Sequence, residues 1–534
     1  MDIWSWICEL PNSDEWSESP IFELASSGGQ ADDHEGSTRS IHLRADRTSG
    51  SESEAAVIFT VCLQGFHPPL NAEKPLWVSE KCHLARENPF LPLFLQLLQE
   101  ITSLSPNAPN STCPRSQLQK LKPEPITWIM NSHSPESFST FFNLVFTLRL
   151  FWLCACDAPT EAGSLYFQSL LPSALETVSS NSSPVLRTFL VTVGVDTELC
   201  FMRTLGYIVA KWCIFRELGV GLQALLVPPP SRSPGFSYST EAHGVWALKG
   251  YVPIMTMMKV TSSNDTLKTQ IPRLDTKESI LKYTLAHQQL EALVQLEYSV
   301  AFHDGFIQVR ACVDNIRLQV AKLGFKNQNN EAEYGEEKHF PSRVRIWVGP
   351  EVGATYVVGG LSLTRSTENT EREVEIQKIV KGNFEKLKLS KAKAVARTST
   401  KTKTKNWRMD QDAEGNAAIF DAVLYDSATG QEVATGKPYG EAGGDQVHGL
   451  RKRYVAANRP FTKTGSVVLA GDENGEVGWK LSREMEGSVL KWRIGGEFWI
   501  SYWPNEAKTS FFETRYAEWC DEVDLPLIPP KMVV

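Results

Sequence analysis

Sixteen residues, Ser488 to Trp503 (SVLKWRIGGEFWISYW), alternate apolar and polar side chains on both sides of Gly495-Gly496, a pattern that belongs to a β-sheet. Tight hairpin turns require positive φ, which glycine adopts without steric cost, so the glycine pair predicts a two-residue turn. Counting outward, the turn sets Ile494 opposite Glu497, Arg493 opposite Phe498, Trp492 opposite Trp499 and Lys491 opposite Ile500. A hairpin alone is marginal in water, so this one must belong to a larger sheet.

A second segment carries the same kind of signal. In Val294–Val313 an Asp304-Gly305 turn pairs Phe302 with Ile307, Val300 with Val309, Tyr298 with Ala311 and Leu296 with Val313. All of these are apolar or aromatic, so that face meets a core. Glu297, Ser299, His303, Gln308 and Arg310 lie on the opposite face, toward water or a partner. Near the amino end, Ser40–Arg47 and Ala55–Phe66 flank a polar turn and predict another hairpin.

Between these β segments the period changes. NPFLPLFLQLLQEITSL from Asn88 reads as a helix, and Ser134-Pro135-Glu136 caps a second one running through FSTFFNLVFTLRLFWLCAC. That run approaches membrane-spanning length, but Asn143 and Arg149 interrupt it, which favours a buried core helix. Helices are also expected at Ser164–Val178 and at Thr197–Leu218, the latter ended by Gly219. Asp275 and Glu278 have capping-box spacing and predict a helix over 275–294. VPPPSRSPG, 227–235, is the sharpest boundary, since a proline run continues neither helix nor central strand.

These readings give an α+β chain: an N-terminal β element with a polar loop (1–87), an α-helical block (88–226), a Pro-rich linker (227–235), a mainly antiparallel β domain of sandwich or barrel type (236–520), and an apolar tail (521–534). At 534 residues, two to four domains are expected. The acidic start MDIWSWICELPNSDEW lacks the features of a signal or transit peptide, and ten scattered cysteines show no CxxC spacing. A cytoplasmic location follows as the expectation, with the nucleus as an alternative. Cys154 and Cys156 read as buried thiols near a helix end.

Charge supplies the first candidate site. Residues 381–408 hold ten Lys/Arg against one acid, leaving 44 basic and 61 acidic residues elsewhere. The candidate anion-binding residues are Lys386, Lys388, Lys391, Lys393, Arg397, Lys401, Lys403, Lys405 and Arg408, and the corresponding partner is an acidic protein, nucleic acid or anionic lipid. The competing reading is a solvated strand face, because lysine and threonine alternate in STKTKTKNW and edge lysines discourage aggregation. No RNA-binding or finger motif accompanies the stretch.

Trp479, Trp492, Trp499 and Trp503 are candidates for a stacking platform, with a sheet core as the competing use of tryptophans at alternating positions. Asp410, Asp412, Glu414 and Asp421 resemble part of a calcium loop. The flanks read as strand and the last ligand is aspartate, so a plain hairpin loop is preferred and no metal is expected. GxSxG, GxxxxGK[ST] and a strand-borne GxGxxG are missing from the sequence, and no cofactor is expected.

MDIWSWICELPNSDEW, CPRSQLQKLKPEP, TLAHQQLEA and SREMEGSVLKWRIGGEFWISYWPN together resemble a family of land-plant proteins of unknown function, over nearly the whole chain. The resemblance implies a plant source and supplies no activity, cofactor or site residue. The leading functional expectation is a non-enzymatic intracellular binding or scaffold protein that engages an acidic surface through the basic stretch. The alternatives are an enzyme or small-ligand carrier with a cavity in the C-terminal β domain, and a peripheral membrane protein. The sequence leaves oligomeric state open.

Overall fold

The computed structural model describes residues 2–10, 16, 18–27, 38–48, 55–66, 75–106, 121–171, 184–218, 235–260, 288–323, 338–363, 369–383, 393–425, 432, 466–470, 476–503 and 514–529; over 369–406 it gives the strand path and pairing. The chain is α+β, with three antiparallel sheets and, among the described residues, seven α-helices. The helices are α1 (Ile3–Cys8), α2 (Leu91–Ser103), α3 (Pro123–Ser132), α4 (Pro135–Cys156), α5 (Thr160–Leu165), α6 (Pro184–Thr192) and α7 (Val195–Leu218).

The N-terminal sheet is built from β1 (Ile21–Ser26), β2 (Ser40–Thr48), β3 (Ala56–Gln64), β4 (Trp77–Val78) and β5 (Cys82–His83). The expected hairpin is present, with Ser40 opposite Gln64 and Thr48 opposite Ala56. The sheet adjoins the helices through Trp77, whose Nε1 donates to Glu100 of α2 at 2.9 Å.

Helix α4 begins as its sequence requires. Ser134 accepts from the Ser137 N–H at 3.3 Å, and proline fills the first turn. Although α4 is long and apolar enough to cross a membrane, 78% of its apolar window is buried. Phe138, Phe141, Phe142 and Phe146 pack with Phe94 of α2 and Phe189 of α6 in a helical core. Arg149, which interrupts the apolar run, is matched by Glu100. Of the Cys154/Cys156 pair only Cys154 is buried, and burial pushes its thiol up to about 12; Cys156 is exposed. The expected helix from Ser164 starts earlier, at Thr160, and continues as a π turn over Tyr166–Leu170.

Two larger sheets follow, from β6 (Phe236–Ala242), β7 (Val245–Pro253), β8 (Met258–Lys259), β9 (Gln288–Phe302), β10 (Phe306–Lys322), β11 (Lys338–Pro350), β12 (Ser362–Leu363), β13 (Asn369–Asn383), β14 (Lys393–Glu414), β15 (Ala417–Leu424), β16 (Ser466–Ala470), β17 (Val477–Ser482), β18 (Val489–Trp503) and β19 (Thr514–Pro526). Sheet I has the order β12-β17-β10-β9-β7-β6, with β16 also on β10; sheet II has the order β13-β14-β15-β11-β18-β19-β8. The Asp304-Gly305 hairpin has the register read from the sequence, and Leu296, Ile307, Val309, Ala311 and Val313 are buried. The predicted helix over 275–294 is overturned from Gln288 onward, where β9 pairs with both β7 and β10; residues 275–287 lie outside those described. Asp521–Pro526, expected as tail, completes β19 against β18.

The largest correction concerns Gly495-Gly496. There is no turn: β18 runs unbroken from Val489 to Trp503, flanked by β11 and β19, and neither glycine has positive φ. The Trp492/Trp499 pair therefore does not form. The glycines serve another purpose, because Gly495 lies opposite Trp347, and a Cβ there would sit 2.0 Å from the indole Cζ2. The missing side chain lets the Trp347 ring lie over the strand, where the Arg493 guanidinium covers it at 5.2 Å.

Sheets I and II pack face to face around a tryptophan cluster. Trp492 of β18 meets Trp246 of β7 at 6.1 Å and Trp479 of β17 at 5.3 Å, all three with 1% exposure or less. Helix α7 lies on the other face of sheet I through polar contacts. Glu198 accepts from Lys249 at 2.9 Å, Tyr251 at 2.6 Å and Tyr238, and Arg203 forms a two-pronged pair with Glu291 at 2.7 and 3.0 Å. Both tyrosines are held well above their ordinary pKa, first by burial and then by the Glu198 carboxylate, so they remain donors.

Candidate functional site

The basic stretch forms most of a two-stranded ribbon. β14 pairs with β15 only over Trp407–Glu414, whereas it pairs with β13 from Arg408 back to Lys393. Among the described residues, Lys393–Asn406 thus has β13 as its sole strand partner, and β13 has only β14. Strand geometry makes this arm roughly 50 Å long. A register shift at Thr370/Glu371 falls where it leaves the sheet.

Pairing divides the candidate lysines into two groups. At the base, Lys401 is opposite Glu375, Lys403 opposite Glu373 and Lys405 opposite Glu371. Opposite charges at facing positions stabilise a sheet, so these lysines belong to a matched ladder. Farther out the described facing positions are not acidic: Arg397 faces Ile379 and Lys393 faces Asn383, while Lys378 and Lys381 face Thr398 and Val395. Residues 377–397 contain seven Lys/Arg and one Glu. The charge excess is therefore distal. Lys386, Lys388 and Lys391 lie outside the described residues. Arg408 is exposed and pairs with Asp410 at 3.1 Å.

The tryptophan platform is not assembled. Trp479 and Trp492 are core, and the Trp479 indole donates to the Asn416 carbonyl at 2.7 Å. Trp499 is on the outer face of sheet II, between Tyr516 at 5.1 Å and the Arg343 guanidinium at 4.9 Å. Trp503 ends β18 opposite Lys338. The calcium-loop residues form a β14–β15 hairpin turned at Gly415-Asn416, with Gly415 at φ +62°. Asp421 is bound by Arg343 through two contacts, one of them at 2.9 Å from Nε.

Those acids belong to a feature that periodicity does not reveal. Across five strands of sheet II the register aligns Asp410, Asp421, Arg345, Glu497 and Glu518 in one row. Four carboxylates and one guanidinium share it. Like charges directly opposite each other destabilise a sheet, and Asp410/Asp421 and Glu497/Glu518 are two such pairs. The Tyr516 hydroxyl relieves the second by donating to Glu497 at 3.1 Å and Glu518 at 3.4 Å. Desolvation, reinforced by both carboxylates, keeps that phenol protonated. Flanking rows add Asp412, Glu414, Glu522 and Asp524 on the same face, and Glu414, Glu518, Cys520, Glu522 and Asp524 are exposed. Lys491 neutralises Asp524 at 2.6 Å. No group of three metal-ligating side chains occurs among the described residues.

A groove of about 390 Å³ opens beside this face, lined by Arg187, Glu241, Lys491, Arg493 and Cys520–Asp524. None of the four candidate tryptophans lines it. Desolvation and the carboxylates of Asp521, Glu518 and Glu522 hold the Cys520 thiol above its ordinary pKa against the pull of Arg493. A protonated thiol is a poor nucleophile.

No protein-family model matches the chain, and no curated protein matches it. Among solved structures it is similar to the Clostridium perfringens NetB toxin in its membrane-inserted form, at 9% identity and TM-score 0.17, over 54% of this chain and 94% of that one. It is also similar to Clostridium perfringens delta-toxin, at 9% identity and TM-score 0.19, over 54% and 94%. Likenesses at these TM-scores support no inference about fold or activity.

Proposed function

We propose that this chain is a non-enzymatic intracellular binding protein that uses the β13–β14 arm to engage an anionic surface. One observation carries the reading: a ribbon that leaves its sheet and concentrates unmatched basic positions in its distal half. A long ribbon whose two strands, among the described residues, pair beyond the sheet only with each other stabilises the rest of the sheet little and presents much surface. Cations concentrated on it attract polyanions in a salt-dependent way. The ladder of Lys401, Lys403 and Lys405 with three glutamates fixes the arm's register, and the contacts fall to Lys378, Lys381, Lys393 and Arg397.

Retention on heparin, RNA and anionic liposomes, measured at low and near-physiological salt, tests the assignment. The variant Lys378→Glu/Lys381→Glu/Lys393→Glu/Arg397→Glu is expected to lose salt-sensitive retention on every polyanion that holds the wild type. Lys401→Glu/Lys403→Glu/Lys405→Glu is expected to weaken the ribbon itself, because it sets like charges opposite each other. A folded distal variant that is retained as well as the wild type refutes the reading.

A further inference from the structure

The groove of about 390 Å³ lies where α6, β6, β18 and β19 meet, and three cations and four carboxylates line it. Most of these charges are already matched. Arg187 pairs with Asp521 at 3.4 Å, and Asp521 also accepts from the Ser239 N–H at 2.6 Å and hydroxyl at 2.7 Å. Lys491 pairs with Asp524 at 2.6 Å, and Glu241 accepts from the Tyr298 hydroxyl at 2.8 Å. Two groups remain. Arg493 and Glu522 face each other across β18 and β19, where opposite charges ordinarily pair, yet among the described residues neither charged group has an ion-pair or hydrogen-bond partner. The Arg493 guanidinium lies instead over the Trp347 ring at 5.2 Å, and the missing Cβ of Gly495 is what admits the ring to that place. The groove therefore carries one unmatched guanidinium and one unmatched, exposed carboxylate.

We infer that this groove is a binding site for a free α-amino acid, whose carboxylate is taken by Arg493 and whose ammonium group is taken by Glu522. The inference is independent of the arm. Lining charge selects the class of ligand. A simple anion would enter against four carboxylates and a simple cation against three cations, whereas a zwitterion gains at both unmatched groups. A guanidinium offers two parallel N–H donors that fit a carboxylate, and its stacking on the indole restricts its motion before the ligand arrives. An α-amino acid carries its two charges on one carbon, a spacing suited to groups that come from facing positions of neighbouring strands. The volume lies near the lower end of the range for small-molecule sites, about 300–1,000 Å³, and suits a single amino acid better than a larger molecule. Cys520 stands opposite Gly495 in the same groove, with an exposed thiol that reports on occupancy.

Iodoacetamide alkylation of the full-length protein, followed at Cys520 by peptide mass spectrometry, tests this, with the exposed Cys8 and Cys156 as internal controls. The probes are the standard L-amino acids other than cysteine, each at up to about 10 mM, which saturates a site with a dissociation constant of about 1 mM. At least one is expected to slow alkylation of Cys520 and to leave Cys8 and Cys156 unchanged. Its N-acetyl and C-terminal amide derivatives each lack one of the two charges and are expected to need about tenfold more for half protection. Arg493→Met and Glu522→Gln, shown to be folded by circular dichroism, are expected to raise the half-protecting concentration of the parent amino acid by a similar factor. The derivatives decide the matter with the wild type alone if a variant fails to fold. An absence of protection by every amino acid overturns the inference. So does slowing at all three cysteines alike, protection by either derivative equal to that of the parent, or unchanged protection in either folded variant.

Discussion

Replacing Gly495 by alanine tests whether β18 is one strand or two. The new Cβ would lie 2.0 Å from Trp347 Cζ2, whereas carbon atoms settle at about 3.5–4.0 Å, so the indole must move by roughly 1.5 Å or more. That displacement lifts the ring from the strand and from the Arg493 guanidinium. Overpacking of this kind costs about 1–3 kcal/mol, and the reduced chain entropy of alanine returns about 0.5–1 kcal/mol, for a net loss of about 1–2 kcal/mol. Glycine-to-alanine at a tight turn would also destabilise, so the single variant does not discriminate. A double-mutant cycle with Trp347→Ala does. Once the indole is gone, Gly495→Ala should be neutral or slightly stabilising, giving a coupling of about 1–3 kcal/mol in urea unfolding followed by tryptophan fluorescence. Effects that add to within about 0.5 kcal/mol would refute the placement of Trp347 over Gly495.

Other expectations concern buried polar groups. His339 is buried against Gln288, and desolvation followed by the Arg515 charge lowers its pKa from 6.5 to about 3. The neutral imidazole is the folded form, so stability is complete above pH 6.5 and is lost as pH falls toward 3. Linkage puts the loss on the order of 3 kcal/mol at pH 4.5, and a folded His339→Gln variant should show a flatter pH profile of urea stability. Arg203→Ala should cost about 3–5 kcal/mol by leaving the Glu291 carboxylate buried and unmatched, and Arg203→Met/Glu291→Leu should cost much less by the same assay. Ser134→Ala should cost about 1 kcal/mol through loss of the α4 cap, read as a lowered unfolding midpoint.

The parts legible in the sequence were those in which local chemistry and fold agree. Asp304-Gly305 sits between strands whose alternation leaves a single register, and Ser134-Pro135 starts a helix with the side-chain cap and proline position that a first turn needs. Gly495-Gly496 misled because glycine in a strand has two uses. A turn requires its positive φ, whereas β18 uses its missing Cβ, and only the position of Trp347, almost 150 residues earlier, distinguishes the two. The helix expected over 275–294 failed from Gln288 onward because capping-box spacing is weak evidence against the paired edges that β7 and β10 offer β9. For the candidate site, the basic excess was visible as composition, but the ladder that cancels Lys401, Lys403 and Lys405 required the β13 register. The acidic row was invisible because its members come from five strands between residues 345 and 518, and only the Asp410/Asp421 step is set by a local hairpin.

The polar seam between α7 and sheet I also bears on how the chain is made. Glu291, which Arg203 needs, follows it by 88 residues, and synthesis at roughly 5–20 residues per second separates the two by several seconds. During that interval the helical core around Phe94 and Phe142 can form, while the α7 surface awaiting the sheet displays Glu198 and Arg203 to water. A greasy stripe there would be an adhesive on every unfinished chain. A charged one is hydrated, and becomes a specific lock as Tyr238, Lys249 and Tyr251, and then Glu291, arrive on the strands that complete it.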